Sequence, residues 1–152
     1  MRVVLLSDTH LNHLPVPEGD LLIHAGDITC MGTVSEVAHA VSWLASLPHP
    51  YKVLVAGNHD WLFEKSPDLA RQMVEEKGIV YLQDQSIILE GLRIWGSPWQ
   101  PNFCNWAFNL PRGLALAEKW AMVPEGLDIL VTHGPPAGVL DFNGHEECGC
   151  DD

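Results

Sequence analysis

No run of apolar residues approaches the roughly 18 that a membrane-spanning helix requires, which excludes a helical membrane anchor from this stretch of chain. Basic residues are scarce: 8 Lys and Arg stand against 20 Asp and Glu, a formal net charge of -12. A surface of that sign repels phosphate backbones, so nucleic acid is not the expected partner. A small phosphoester stays open, because bound divalent cations invert the field locally. The four cysteines, Cys30, Cys104, Cys148 and Cys150, form no disulfide framework, and a reducing, cytoplasmic setting is expected. Repeats, low-complexity tracts and linkers are also lacking, so residues 1–152 read as one domain. At 47% hydrophobic and 18% charged, the chain can fill a core, which excludes a disordered polymer.

What is present alternates between apolar strands and helices. Arg2–Ser7, Asp20–His24 and Tyr51–Ala56 are apolar without a period of two, the pattern of strands buried on both faces. Thr33 and Glu36 make a capping box, and Val34, Val37, Val41 and Leu44 form one stripe behind it. Ser66 as cap and Pro67 at the first position open a second helix, which Gly78 ends. Ile79–Leu82 reads as a short strand, and Ile87–Glu90 with Leu92–Trp95 as a hairpin turning at Gly91. A long aromatic loop, Pro98–Pro111, precedes a helix over Leu114–Met122 and a last apolar strand, Asp128–Val131. This order predicts an α/β fold with a parallel sheet.

Four of the apolar strands run straight into polar residues of one chemical kind. These are Asp8 and His10, Asp27, Asn58 and His59, and His133. Ligands of open α/β sheets sit at the carboxyl ends of the strands, so these side chains are expected to converge. Imidazole and carboxylate together suit zinc, manganese or iron. Asp27 lies between the other ligands in chain order and is the natural bridge between two ions. A water shared by two cations loses its proton near neutral pH, and an imidazolium can protonate a leaving alkoxide. Singly, each motif is turn chemistry; their joint order is what points to metal.

Asp8-Thr9-His10, Gly26-Asp27, Gly57-Asn58-His59-Asp60 and Thr132-His133-Gly134 resemble the ordered signature of the calcineurin-like metallophosphoesterases. Gly96-Ser97-Pro98-Trp99-Gln100-Pro101, Trp106-Ala107-Phe108 and His133-Gly134-Pro135-Pro136 resemble its metallophosphoesterase-domain-containing branch, some of whose members hydrolyse cyclic nucleotides. The resemblance runs from Met1 to about Pro136. It implies a four-layer α/β/β/α sandwich with mixed sheets and two divalent metal ions, Mn, Fe or Zn. Asp8, His10 and Asp27 are implied at the first ion, and Asp27, Asn58 and His133 at the second. His59 is the implied general acid and Asp60 the partner that orients it. The implied activity is that of a metal-dependent phosphoester hydrolase, a phosphodiesterase on a small substrate such as a cyclic nucleotide, using a dinuclear-metal hydroxide.

The family closes its site with a Gly-His-x-His motif, and these residues contain none. Gly144-His145-Glu146-Glu147 begins like it but has Glu where the second His belongs. The expectation is a C-terminally truncated domain with weakened metal sites, and a homo-oligomer that covers the exposed sheet. The alternative is a catalytically impaired fold that serves as a binding or scaffold protein. His145 could fold back to one ion. Cys148-Gly149-Cys150 reads as a free tail, His24 as a hydrogen-bonded core residue, and His13, His39 and His49 as surface. Trp99, Phe103, Trp106 and Phe108 either stack a nucleobase or close one end of the core.

Overall fold

The computed structural model describes residues 1–152. β1 (Val3–Leu6), β2 (Leu21–Ala25), β3 (Tyr51–Val55) and the two-residue β4 (Val80–Tyr81) pair in that order, all parallel. Helices return the chain from β2 to β3 and from β3 to β4, whereas residues 7–20 return it from β1 to β2 without one. α1 (Val34–Ser46) starts where the capping box predicts: Glu36 N–H donates to the Thr33 hydroxyl at 3.2 Å, and the Glu36 carboxylate accepts from Thr33 N–H at 3.2 Å. Two helices follow β3, α2 (Trp61–Lys65) and α3 (Pro67–Glu75).

Side chains alternate across the first sheet. Leu22 and Leu54 face Val37, Val41 and Leu44 of α1 and Val74 of α3 in one apolar core. Leu21, Ile23, Val53 and Val55 face the other way, where they meet Leu82, Ile94 and Val131. Ile94 and Val131 belong to a second sheet. β5 (Gln85–Leu89) and β6 (Leu92–Ser97) form the hairpin that turns at Glu90-Gly91, and β9 (Ile129–Thr132) joins β6 in parallel. The sheet is therefore mixed. Beyond it, α4 (Leu114–Trp120) brings Trp120 beside Leu130 on the outer face of β9. The layers run helix, sheet, sheet, helix. No helix is long and apolar enough to cross a membrane.

The aromatic loop is not featureless. It holds a short parallel pair, β7 (Gln100–Pro101) and β8 (Asn109–Leu110), with Gln100 opposite Asn109. Its aromatics divide between the two readings. Phe108 is buried and meets Trp99 edge to face at 5.3 Å, so these two close the core. Phe103 is 54% exposed, and Trp106 stacks on His59.

Two further expectations are corrected. His49 is buried, not on the surface, and its ring Nε2 donates to the Pro17 carbonyl at 3.0 Å. Ser66 makes no side-chain cap; its backbone N–H closes α2 on Leu62 as α3 begins.

Candidate metal centre

The carboxyl ends of β1, β2 and β3 in one sheet and β9 in the other open onto a single place. The loops that follow β1 and β2 brace each other there: Asp8, His10 and Leu11 N–H donate to the carbonyls of Gly26, Asp27 and Ile28 at 2.9, 3.0 and 3.1 Å. Those bonds hold Asp8, His10 and Asp27 at φ values of 52°, 44° and 56°, a left-handed backbone that non-glycine residues seldom adopt. Gly26 and Gly57 let the loops touch. A Cβ on Gly26 would lie 2.8 Å from the Gly57 Cα, and one on Gly57 would lie 2.8 Å from Cε1 of His133.

Two groups of ligand atoms result, each within 4.8 Å: His10 with Asp27 and His59, and Asp8 with Asp27 and His133. Asp27 belongs to both and is almost fully buried. The partition differs from the expected one, which placed Asp8 beside His10. Between them Thr9 is buried, with its hydroxyl 2.9 Å from Nε2 of His24, and the backbone on either side of it, at Asp8 and His10, is left-handed rather than extended.

The three imidazoles are held alike. Nδ1 of His10 lies 2.9 Å from the Thr29 carbonyl, Nδ1 of His59 2.7 Å from that of Cys30, and Nδ1 of His133 2.9 Å from that of Ala25. A carbonyl only accepts, so each Nδ1 carries a proton and donates it, and Nε2 is the ring atom left to face the site. Those Nε2 atoms face one carboxylate. They stand 3.6 Å and 3.9 Å from Asp27 Oδ2 for His10 and His59, and 3.5 Å from Oδ1 for His133. His133 Nε2 is also 3.0 Å from Oδ1 of Asn58. Anchoring of Nδ1 on carbonyls, with Nε2 turned toward a shared carboxylate, is how metal-ligating histidines are oriented. The donor set fits divalent metal.

Asp60 does not reach the His59 ring, whose partner is the Cys30 carbonyl. The carboxylate lies beneath the site and accepts from Gly57, Ile28 and Thr29 N–H at 2.8, 3.3 and 2.9 Å and from the Thr29 hydroxyl at 2.6 Å. Burial pushes its carboxyl up, the charge of Asp27 adds to this, and the hydrogen bonds from Thr29 and Gly57 pull the other way. It ties the loop after β2 to the loop after β3. His145 is exposed and belongs to neither group. Cys148 and Cys150 turn to different partners, the Asn143 amide at 3.1 Å and the Trp120 indole N–H at 3.3 Å.

Three features lay outside the reading of the sequence. The carbonyls that orient the histidines carry no side-chain signal. Trp106 lies on the His59 ring, with centroids 4.0 Å apart and planes 31° from parallel. Gln100, visible in the sequence only as part of a branch signature, donates Nε2 to Asn58 Oδ1 at 3.1 Å. Beside the site, Gln100, Asn102, Phe103, Arg112, Gly134 and Glu146 border a cavity of about 350 Å³.

A metal-fitting cluster at the strand ends of two stacked sheets is the arrangement of a metallophosphoesterase, and the chain belongs to the calcineurin-like phosphoesterase family, which matches residues 1–151. Metallophosphoesterase domain-containing protein 1 of Homo sapiens and of Mus musculus are each 46% identical over 164 residues, covering 93% of this chain and 50% of theirs. "Probable rhamnogalacturonate lyase C" of Emericella nidulans is 40% identical over 97% of this chain, a stretch that is 15% of that protein. The chain spans about half the length of the first two relatives.

Proposed function

We propose that the domain hydrolyses phosphoesters with divalent metal, as a phosphodiesterase on a small substrate such as a cyclic nucleotide. The observation that carries this reading is the set of three imidazoles whose Nδ1 atoms rest on main-chain carbonyls while their Nε2 atoms face the shared carboxylate of Asp27. Asp8, His10, Asp27, Asn58 and His133 are the proposed metal residues. Two divalent ions held there would supply a water acidic enough to deprotonate near neutral pH and would offset charge on the phosphoryl oxygens.

His59 is the proposed proton donor. With Nδ1 committed to the Cys30 carbonyl, Nε2 is the atom left to carry a proton to the departing oxygen. Trp106 limits rotation of the ring by covering one face. Asp60 holds the loop from which Asn58 and His59 project. The cavity beyond Gln100 offers room for the leaving group.

The test compares two leaving groups. A p-nitrophenolate departs with little protonation, whereas a ribose alkoxide needs a proton, and general acid assistance is typically worth about 10²–10⁴-fold. His59→Ala is expected to slow hydrolysis of a cyclic nucleotide far more than that of a p-nitrophenyl phosphodiester, while Asp8→Ala slows both alike. Equal losses for His59→Ala would assign His59 to metal or phosphate binding. Metal uptake without turnover of either substrate would replace this reading with that of a metal-binding module.

A further inference from the structure

An amide side chain carries an oxygen and a nitrogen of nearly equal size, so its shape does not settle which of them faces a cation. Asn58 is the neutral member of the proposed metal set, and only its oxygen can serve as a ligand. Turned over, the side chain would aim an NH₂ at the ions. Something must fix its direction.

The direction can be followed from the aromatic loop inward. The carbonyl of Phe103 can only accept, and the Asn109 amide lies 2.7 Å from it, so that end of Asn109 is the NH₂. Asn109 therefore turns its oxygen toward Gln100, whose amide group is 3.2 Å away and has to present its NH₂. The same Gln100 nitrogen has a second hydrogen, which it donates to Asn58 at 3.1 Å, and that contact requires oxygen on Asn58. Each orientation is forced by the one before. The pairing of β7 with β8 sets Gln100 opposite Asn109, which puts the two amides side by side. Gln100 is 8% exposed, so water competes little for these bonds.

We infer that Gln100 and Asn109 form an orientation relay, anchored on the Phe103 carbonyl, that selects the oxygen of Asn58 for metal. They are positioning residues; neither belongs to the proposed ligand set. The inference rests on the metal reading of the site for its purpose, and on the hydrogen bonds alone for its geometry.

Two measurements separate those parts. The first is titration calorimetry of the 152-residue chain with Mn²⁺. Gln100→Leu removes the donor and leaves the Asn58 oxygen with only Nε2 of His133, at 3.0 Å, to orient it, and Gln100→Glu offers an acceptor that draws the NH₂ of Asn58 toward itself. Loss of such an outer partner typically weakens metal binding about 10–100-fold, and both variants are expected in that range. In an Asn58→Asp background there are two equivalent oxygens and no direction to select, so Gln100→Leu should cost no more than about twofold there. Equal losses in both backgrounds would make Gln100 a structural support and overturn the relay. The second measurement needs no metal. In the ¹⁵N–¹H side-chain amide spectrum of the metal-free chain, Gln100→Glu should shift one Asn58 amide proton downfield as it bonds the new carboxylate. An unmoved Asn58 amide would overturn the relay even if metal affinity fell. A shifted amide in a chain that takes up no Mn²⁺ would keep the relay and discard the metal reading.

Discussion

The hydroxyl of Thr9 and Nε2 of His24 are 2.9 Å apart in a buried hydrogen bond, and the Nδ1 atom of His24 has no partner. The bond links the residue between Asp8 and His10 to the middle of the first sheet, where His24 sits wholly out of solvent. Burial lowers the His24 pKa from 6.5 to about 4, with His133 and His10 adding to the fall and Asp8 opposing it.

This bond carries a pH prediction. Between about 6.5 and 4 the unfolded chain binds a proton that the folded chain refuses. The neutral ring's contribution is whole above that window and is lost as pH falls through it, reaching about 3 kcal/mol below pH 4. Urea unfolding across this range should show the decline, and His24→Leu should flatten that part of the curve whatever its absolute stability. An unchanged slope in the variant would place the sensitivity elsewhere.

Asp27 offers one oxygen toward His10 and His59 and the other toward His133. Asp27→Ala should therefore abolish both proposed metal sites together. Calorimetric titration with Mn²⁺ reads this directly, and survival of either site at its original affinity would refute the shared ligand.

Asp60 accepts four hydrogen bonds within the buried base of the site. Asp60→Ala leaves Gly57, Ile28 and Thr29 with orphaned donors at about 1–3 kcal/mol each. With partial relaxation, a total of about 3 kcal/mol corresponds to a melting temperature lower by roughly 6–12 °C in a chain of this size. A melting curve within a degree or two of the parent would show that the two loops do not depend on this carboxylate.

Trp106 touches the His59 ring and is in neither ligand group. Trp106→Ala should leave Mn²⁺ affinity where it was. It should slow hydrolysis of a cyclic nucleotide about 10-fold, as expected from losing one aromatic pair. Steady-state kinetics on both ester types checks this; an equal loss on the p-nitrophenyl ester would tie Trp106 to substrate binding and not to the proposed proton donor.

The parts of the fold that were legible in the sequence are those with a local cause. Thr33 and Glu36 announce α1, and the hairpin turns at Gly91 where the period-two pattern breaks. α2 escaped notice because its five residues, Trp61–Lys65, carry no cap of their own and owe their shape to packing of Leu62 and Phe63. In the site, strand-end side chains such as Asp8 and His133 were visible because polar residues there have few other reasons to follow an apolar strand. Their partition about Asp27 was not, since the backbone leaves the extended conformation at Asp8 and His10. The role of Asp60 was misplaced for a similar reason: adjacency to His59 in the chain says nothing of which way a buried carboxylate points.

His133 arrives from the second sheet, whereas Asp8, Asp27 and Asn58 arrive from the first. The gap between these donors is consequently a mechanical dimension, set by the apolar filling of Leu21, Ile23, Val53 and Val55 against Ile94 and Val131. That filling works as the shim of a caliper whose jaws are the strand ends. A change of one methyl group in it, far too small to unfold the chain, would be read out at the jaws as a change in the distance between these donors.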